Sequence, residues 1–183
     1  MKPRDALALL EGAVPRGPGV WADLGAGEGT FTRALAELLG RGGRIYAVDR
    51  DGSGFTGLTR WAFRRGVDLV PVHADFAVPF ELPGLAEAGP GLDGLLLANS
   101  LHYVAEPAAV LEQLAKRLRP GGRLVLVEYD HRPANRWVPY PIASVEWPSL
   151  AAAAGLVLPR VTASTPSTFG GDLYVATAER AAA

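Results

Sequence analysis

The stretch Asp23-Leu24-Gly25-Ala26-Gly27-Glu28-Gly29-Thr30 follows a short apolar run and leads into a segment with helical spacing, residues 30–39. Glycines at a strand-to-helix turn permit positive φ angles and let a ligand approach the backbone, and the helix N-terminus offers free N–H groups. A tight structural turn would also use glycine, but a loop that follows the first strand of an alternating chain favours a ligand. The stretch therefore predicts a cofactor-binding loop.

Apolar runs and helical segments alternate along the chain around this loop. The runs lack the in/out alternation of a one-sided sheet, so they are typical of strands buried on both faces. Such alternation predicts parallel strands joined by right-handed helical crossovers in an α/β sheet. The predicted strands are residues 19–24, 44–48, 69–73, 91–98 and 123–128, and the predicted helices are residues 30–39, 53–65, 82–87 and 107–118.

The pattern changes after the fifth strand. Residues 129–147 are rich in proline, aromatic and polar side chains and form a predicted substrate-side insert, followed by a predicted helix at 149–154. Two strand-like runs then follow, residues 156–163 and 172–178. The connection between them is too short for a parallel crossover, so we expect an antiparallel pair. The prediction is a sixth strand parallel to the first five and a seventh strand inserted antiparallel.

Composition limits the classes of function. The chain has 183 residues, 49% hydrophobic, with 18 basic and 19 acidic side chains and no cysteine. The near-neutral charge gives no electrostatic footprint for nucleic acid or for an anionic membrane, and no apolar run approaches the roughly 18 residues that span a bilayer. Without cysteine, disulfides and thiolate chemistry are excluded. We expect a single cytoplasmic domain that is a monomer or homodimer.

Two classes of cofactor compete for the glycine loop. A dinucleotide fingerprint, Gly-x-Gly-x-x-Gly, requires a glycine at position 30 when counted from Gly25, and that position holds Thr30. Asp23 at the end of the first strand would also repel an anionic pyrophosphate, whereas a cofactor with a cationic end would be attracted. An NAD(P)-dependent oxidoreductase is therefore the disfavoured alternative.

The loop resembles the first motif of the class I S-adenosylmethionine-dependent methyltransferases, an acid followed by Gly-x-Gly-x-Gly, which Asp23, Gly25, Gly27 and Gly29 fit without a gap. The resemblance implies a three-layer Rossmann-like sheet of seven strands in the order 3-2-1-4-5-7-6, with strand 7 antiparallel and helices on both faces. It also implies that the loop wraps the positively charged amino-acid end of S-adenosylmethionine.

Later segments extend the resemblance. Asp49 ends the second strand, where the family places an acid on the ribose hydroxyls, and Asp75 and Phe76 follow the third strand at the adenine site. Residues 92–104 are similar to the fourth motif of the ubiquinone and menaquinone C-methyltransferase branch. Asp49 could instead be a solvated charge and Asp75 a helix cap. The predicted cofactor-binding residues are Asp23, Gly25, Ala26, Gly27, Asp49, Arg50, Asp75, Phe76, Asn99 and Ser100.

The acceptor is expected beyond the carboxyl ends of the strands, where open α/β sheets bind ligands. The turn after the fourth strand, the insert, and residues 164–171 converge there. Aromatic, arginine and carboxylate side chains suit an organic ligand with a polar group, although the aromatic residues could equally cover the core. The predicted substrate-binding residues are Tyr103, Tyr129, Arg132, Arg136, Trp137 and Tyr140.

Methyl transfer is a direct displacement, so the protein contributes alignment, exclusion of water and, where needed, removal of a proton. His102 and Glu128 are the first candidates for the proton acceptor, followed by Asp130 and His131. Their spacing does not indicate a metal site. Residues 99–102 differ from the Asn/Asp-Pro-Pro-aromatic signature for nucleobase and glutamine acceptors, which favours a small molecule. A non-catalytic module that binds S-adenosylmethionine stays an open alternative.

Overall fold

A seven-stranded sheet forms the centre of the computed structural model, which describes residues 1–182. The first five strands run parallel, and β7 lies antiparallel between β5 and β6. The order is β3-β2-β1-β4-β5-β7-β6. The predicted strand order and the antiparallel seventh strand are confirmed. The strands are β1 Val20–Leu24, β2 Arg44–Asp49, β3 Asp68–His73, β4 Leu92–Ala98, β5 Leu118–Asp130, β6 Leu156–Pro166 and β7 Asp172–Arg180.

Helices cover both faces of the sheet. They are α1 Pro3–Leu10, α2 Thr30–Leu39, α3 Phe55–Arg65, α4 Leu85–Ala88, α5 Pro107–Ala115 and α6 Trp147–Ala153, with short 3-10 turns at Gly52–Gly54, Leu101–Tyr103 and Ser144–Glu146. Residues from α1 and α2 pack in one hydrophobic cluster, and residues from α5 and α6 pack in another. Within residues 1–182, no helix has the length and apolar character needed to cross a membrane.

The two clusters lie on opposite faces of the same strands. Leu95 and Leu97 of β4 pack with Leu111 of α5, while Leu96 between them packs with Leu35 of α2. Successive side chains of a strand point to opposite faces, so a strand covered on both sides is apolar at every position. Each fully buried leucine contributes roughly 1.5–3 kcal/mol of transfer free energy. Burial on both faces therefore holds the strand ends, and the loops that follow them, in place.

The predicted helix at 107–118 is too long at its C-terminal end. The structure ends α5 at Ala115 and places Leu118 in β5, fully buried and paired with Leu92. The register of β4 and β5 then shifts between Leu92 and Gly94, so the Pro120-Gly121-Gly122 turn lies within β5 rather than before it. Burial of Leu118 in the sheet outweighs its fit to the helical pattern.

The apolar run of the third strand predicts burial on both faces, and the structure shows that this prediction is wrong. β3 is an edge strand in which Asp68, Pro71 and His73 are exposed and only Val72 is buried. An edge position tolerates Pro71, which has no backbone N–H for a ladder bond. Helix α1, by contrast, was missed by the sequence prediction.

The insert is shorter than the predicted range of 129–147. β5 continues to Asp130, and α6 begins at Trp147, whose buried indole donates to the carbonyl of Thr177 at 3.0 Å. The insert is therefore residues 131–146. β5 begins five residues before the predicted start at residue 123, and the remaining predicted elements agree with the structure within about three residues at their ends.

Candidate cofactor and acceptor site

The glycine loop between β1 and α2 is held against the end of β2. The amides of Gly25 and Ala26 both donate to the carbonyl of Val48, at 2.8 and 3.0 Å. Gly25 has a φ of 83°, and a Cβ there would lie 2.5 Å from Cβ of Ser100. A side chain at position 25 would thus be disfavoured both by backbone strain and by lack of space. The loop can therefore approach the turn after β4 only because residue 25 is glycine.

A cavity of about 440 Å³ lies between this loop and the ends of β2, β3 and β4. Its size falls within the usual range of ligand sites. Seven of the predicted cofactor-binding residues line it: Gly25, Asp49, Arg50, Asp75, Phe76, Asn99 and Ser100. Tyr103, predicted for the substrate, lines it as well. Ala77, Val104 and Ala105 complete the wall and were missed, because small apolar residues carry no chemical signal in the sequence. We call this space the cofactor cavity.

Asp49 links the cofactor cavity to the glycine loop. Its Oδ2 accepts from the amide of Gly27 at 2.7 Å, and its Oδ1 accepts from the amide of Asp51 at 2.7 Å. Gly27 does not line the cavity itself; it fixes the carboxylate that does. Asp49 therefore combines a structural role in the loop with a position on the cavity wall.

Asp75 closes a local turn and also lines the cofactor cavity. Its Oδ1 accepts from the amide of Ala77 at 2.8 Å, and because no helix begins there the helix-cap alternative is not supported. Its Oδ2 makes no hydrogen bond to any residue from 1 to 182 and is free to accept from a ligand. Phe76 beside it adds an aromatic ring to the same wall.

Asp23 lies deeper than the other acids of the site. Its carboxylate is 1% exposed and accepts from the hydroxyl of Thr32 at 2.6 Å. Burial raises the pKa of Asp23 to about 7, the hydrogen bond from Thr32 opposes that rise, and the charge of Asp49 adds to it. Asp23 and Ala26 line a second cavity of about 210 Å³, which shares Gly25 and Asn99 with the cofactor cavity.

A third cavity, of about 350 Å³, is walled largely by aromatic side chains; we call it the acceptor cavity. It is lined by Asn99, His102, Tyr103, Tyr129, Arg132, Trp137, Val138 and Phe169. It shares Asn99 and Tyr103 with the cofactor cavity. Phe169, from the turn between β6 and β7, was not singled out by the sequence prediction.

Arg136 and Tyr140, two of the predicted substrate-binding residues, lie outside the lining of the acceptor cavity. The guanidinium of Arg136 stacks on the ring of Trp137 at 4.4 Å. The amide of Tyr140 donates to the carbonyl of His102 at 3.0 Å. Both residues therefore support the insert around the cavity rather than forming its wall.

His102 and Glu128 form a buried pair at the base of the acceptor cavity. Nδ1 of His102 lies 2.6 Å from Oε2 of Glu128, and the His102 amide donates to Oε1 at 3.1 Å. The two side chains are 2% and 0% exposed. Because Glu128 accepts at Nδ1, the proton is assigned to that nitrogen, which leaves Nε2 without a partner among the described residues.

Asp130 and His131 do not join this pair. Asp130 accepts from the hydroxyl of Ser144 at 2.5 Å and so anchors the insert. Burial would raise the pKa of Asp130, but the hydrogen bonds from Ser144 and His131 outweigh it and leave that pKa below its usual value. The imidazole of His131 is 76% exposed and lies 3.5 Å from Asp172. Neither residue lines the acceptor cavity.

Comparison with known proteins gives this geometry a family. A family model described as a methyltransferase domain matches residues 22–124, from β1 into β5. The chain belongs to this methyltransferase family. The prediction of a class I S-adenosylmethionine-dependent methyltransferase domain is confirmed, and the dinucleotide alternative has no support.

The curated relatives are matched over only part of their length. The chain is 34% identical to demethylmenaquinone methyltransferase of Clavibacter sepedonicus over 113 residues, 61% of this chain and 41% of the relative. The chain spans 35–44% of the length of the curated relatives it matches.

Solved structures cover nearly the whole chain. The crystal structure of Burkholderia thailandensis 1,6-didemethyltoxoflavin-N1-methyltransferase, with bound 1,6-didemethyltoxoflavin and S-adenosylhomocysteine, is 27% identical, has a TM-score of 0.72, and is matched over 98% of this chain and 78% of that chain. The [4+2]-cyclase SpnF has a TM-score of 0.75 at 16% identity, covering 99% of this chain and 82% of that chain. The second likeness shows the fold alone.

Proposed function

We propose that this methyltransferase domain transfers a methyl group from S-adenosylmethionine to a planar small-molecule acceptor. The observation that carries the proposal is the shared wall of the two cavities. Asn99 and Tyr103 line both the cofactor cavity and the acceptor cavity, so ligands bound in the two spaces are neighbours. Direct displacement needs such adjacency, because the rate depends on holding the reacting groups together in line.

The residues of the cofactor cavity fit S-adenosylmethionine. Asp49 and Asp75 supply carboxylate oxygens for hydroxyl and amino donors, Phe76 supplies a ring face, and Gly25 lets the ligand reach the backbone. When bound, S-adenosylmethionine supplies an electrophilic methyl group, whose bond to sulfur breaks with the electron pair kept by sulfur as the acceptor forms the new bond.

His102 is proposed as the base that removes the acceptor proton. Its Nε2 is the ring nitrogen without a partner in residues 1–182, and the residue lines the acceptor cavity. Glu128 holds the Nδ1 proton, orients the ring and stabilises the imidazolium that forms. A positioned base of this kind accelerates proton transfer by about 10²–10⁴-fold. Asp130 and His131 are less favoured because neither lines that cavity.

The planar shape of the acceptor is inferred from the cavity walls. Tyr103, Tyr129, Trp137 and Phe169 line the cavity with aromatic side chains. Ring stacking on aromatic walls would orient a planar compound. The relatives named above, demethylmenaquinone methyltransferase and 1,6-didemethyltoxoflavin-N1-methyltransferase, carry the names of small-molecule acceptors. We further propose a single domain over residues 1–183, of which residue 183 lies outside the described structure, that acts in the cytoplasm as a monomer or homodimer.

Calorimetry and a transfer assay test the proposal together. S-adenosylhomocysteine should bind the purified protein and NAD should not, and labelled methyl should pass to members of a panel of fused-ring phenols and amines. His102→Gln should bind S-adenosylhomocysteine normally and lower turnover by about 10²-fold or more. Binding of NAD without S-adenosylhomocysteine would overturn the proposal. Clear binding with no transfer to any acceptor would favour the non-catalytic module.

A further inference from the structure

Charge is divided unevenly between the cavities of the site. The cofactor cavity is lined by the carboxylates Asp49 and Asp75 and by Arg50, and the cavity beside it is lined by Asp23 and Glu28. Arg132 is the one arginine or lysine in the described lining of the acceptor cavity. Carboxylates therefore outnumber basic side chains on the cofactor side, whereas the wall of the acceptor cavity carries the positive charge of Arg132.

Arg132 is free to bind an anion. Its guanidinium lies 4.5 Å over the ring of Tyr129, and no carboxylate of residues 1–182 lies within ion-pair distance of it. Stacking uses the flat face of a guanidinium and leaves the N–H groups at its edge available to oxygen ligands. The aromatic ring therefore holds the charge at the cavity without neutralising it.

The rings around Arg132 indicate the shape of what it binds. Trp137 and Phe169 are 60% and 69% exposed, although both border the cavity. Large aromatic side chains left this open next to a cavity are typical of a surface that a ligand covers. The guanidinium of Arg136 also stacks on the ring of Trp137 and supports it.

We propose that the methyl acceptor is a planar conjugated ring that carries an anionic oxygen group, and that Arg132 binds this group. The inference deepens the proposed function and rests on it. The ring would lie against Tyr129, Trp137 and Phe169, and the anionic oxygens would accept from the guanidinium edge. An anion on this side is also attracted to the cationic cofactor across Asn99, which favours binding of the two ligands together.

Ring-matched probes test the inference in protein saturated with S-adenosylhomocysteine. The probes are 2-naphthoate, uncharged 2-naphthamide and the ionised form of 4-hydroxycoumarin, each titrated by quenching of tryptophan fluorescence, with Trp137→Phe identifying the signal. The two anions should bind at least about tenfold more tightly than the amide, because an anionic oxygen binds a guanidinium more strongly than a neutral carbonyl oxygen does. If only one of the two anions binds more tightly than the amide, that result identifies the oxygen group as a carboxylate or as a phenolate.

Two arginine variants separate Arg132 from the general charge of the insert. Arg132→Ala should weaken binding of the anions about tenfold or more and leave the amide nearly unchanged, with Arg132→Lys between the two. Arg136→Ala, which removes a similarly stacked guanidinium outside the cavity lining, should change the ratio of anion to amide affinity less than about twofold, because loss of its contact with Trp137 affects both probes alike. Equal losses in both variants, equal binding of anion and amide, or no binding of any probe would overturn the inference. Failure of S-adenosylhomocysteine to bind would instead overturn the proposed function.

Discussion

Replacement of Asp23 by asparagine should make the protein more stable at alkaline pH while it weakens cofactor binding. Asp23 lies on the central strand β1, between Ala47 of β2 and Leu96 of β4, and it is 1% exposed. Its carboxylate has one side-chain donor, the hydroxyl of Thr32. The asparagine side chain would keep an oxygen for that hydroxyl and would carry no charge into this apolar setting.

The size of the effect follows from the pKa of Asp23, which burial raises from 3.8 to about 7. Between these values the folded protein holds a proton that the unfolded chain has lost, so the free energy of unfolding falls as pH rises. At 1.36 kcal/mol per pKa unit the total loss is about 4 kcal/mol, complete above pH 7. Asp23→Asn should therefore exceed the wild type in stability by up to about 4 kcal/mol at pH 8, with the gap closing towards pH 4.

Urea unfolding of the cofactor-free protein at pH 5, 6, 7 and 8 measures this difference directly. Glu37→Gln, on the exposed side of α2, is the control and should keep the pH dependence of the wild type. Calorimetry at pH 8 should show weaker binding of S-adenosylhomocysteine to Asp23→Asn, because the variant loses a carboxylate that the resemblance to the methyltransferase motif assigns to the amino-acid end of the cofactor. The reasoning fails if Asp23→Asn unfolds with the same pH dependence as the wild type or is less stable at pH 8.

Three further predictions concern the loop and the base. Asp49→Ala should weaken S-adenosylhomocysteine binding by roughly 1.5–3 kcal/mol in calorimetry, since the cavity loses a carboxylate and the Gly27 amide loses its acceptor. Gly25→Ala should lower the melting temperature and abolish binding, because its Cβ would lie 2.5 Å from Ser100; Ser100→Gly in the same chain should recover part of the stability. Glu128→Gln should lower kcat by about tenfold or more and shift its pH profile while leaving KM for S-adenosylmethionine unchanged; an unchanged profile would contradict the paired base.

The sequence predicts the parts of the site that lie at strand ends. Asp49 and Asp75 could be placed at one edge of the sheet because parallel strands bring their carboxyl ends together. The insert could not be resolved in this way. Whether Arg132 or Arg136 faces the cavity depends on how the loop turns after His131, which has a φ of 53°, and no periodicity encodes that turn.

Gly54 shows a second limit of sequence reasoning. A glycine at the start of α3 costs helix propensity, about 1 kcal/mol relative to alanine, and so weakens the prediction of a helix there. In the structure a Cβ at Gly54 would overlap the carbonyl of Gly27. The residue is required for close packing of α3 on the cofactor loop, a contact between segments that are distant in sequence. The same holds for Leu118, whose burial depends on its partner Leu92.

The sheet is complete only after β7 has been made. β7 follows β6 in sequence but separates it from β5, so β6 has no partner in the sheet until the residues up to Arg180 have been made. Until then β5 presents an open edge, and that edge carries Glu128, which pairs with Tyr174 of β7. An unfinished chain would therefore expose a strand edge prone to association along the strand that carries Glu128.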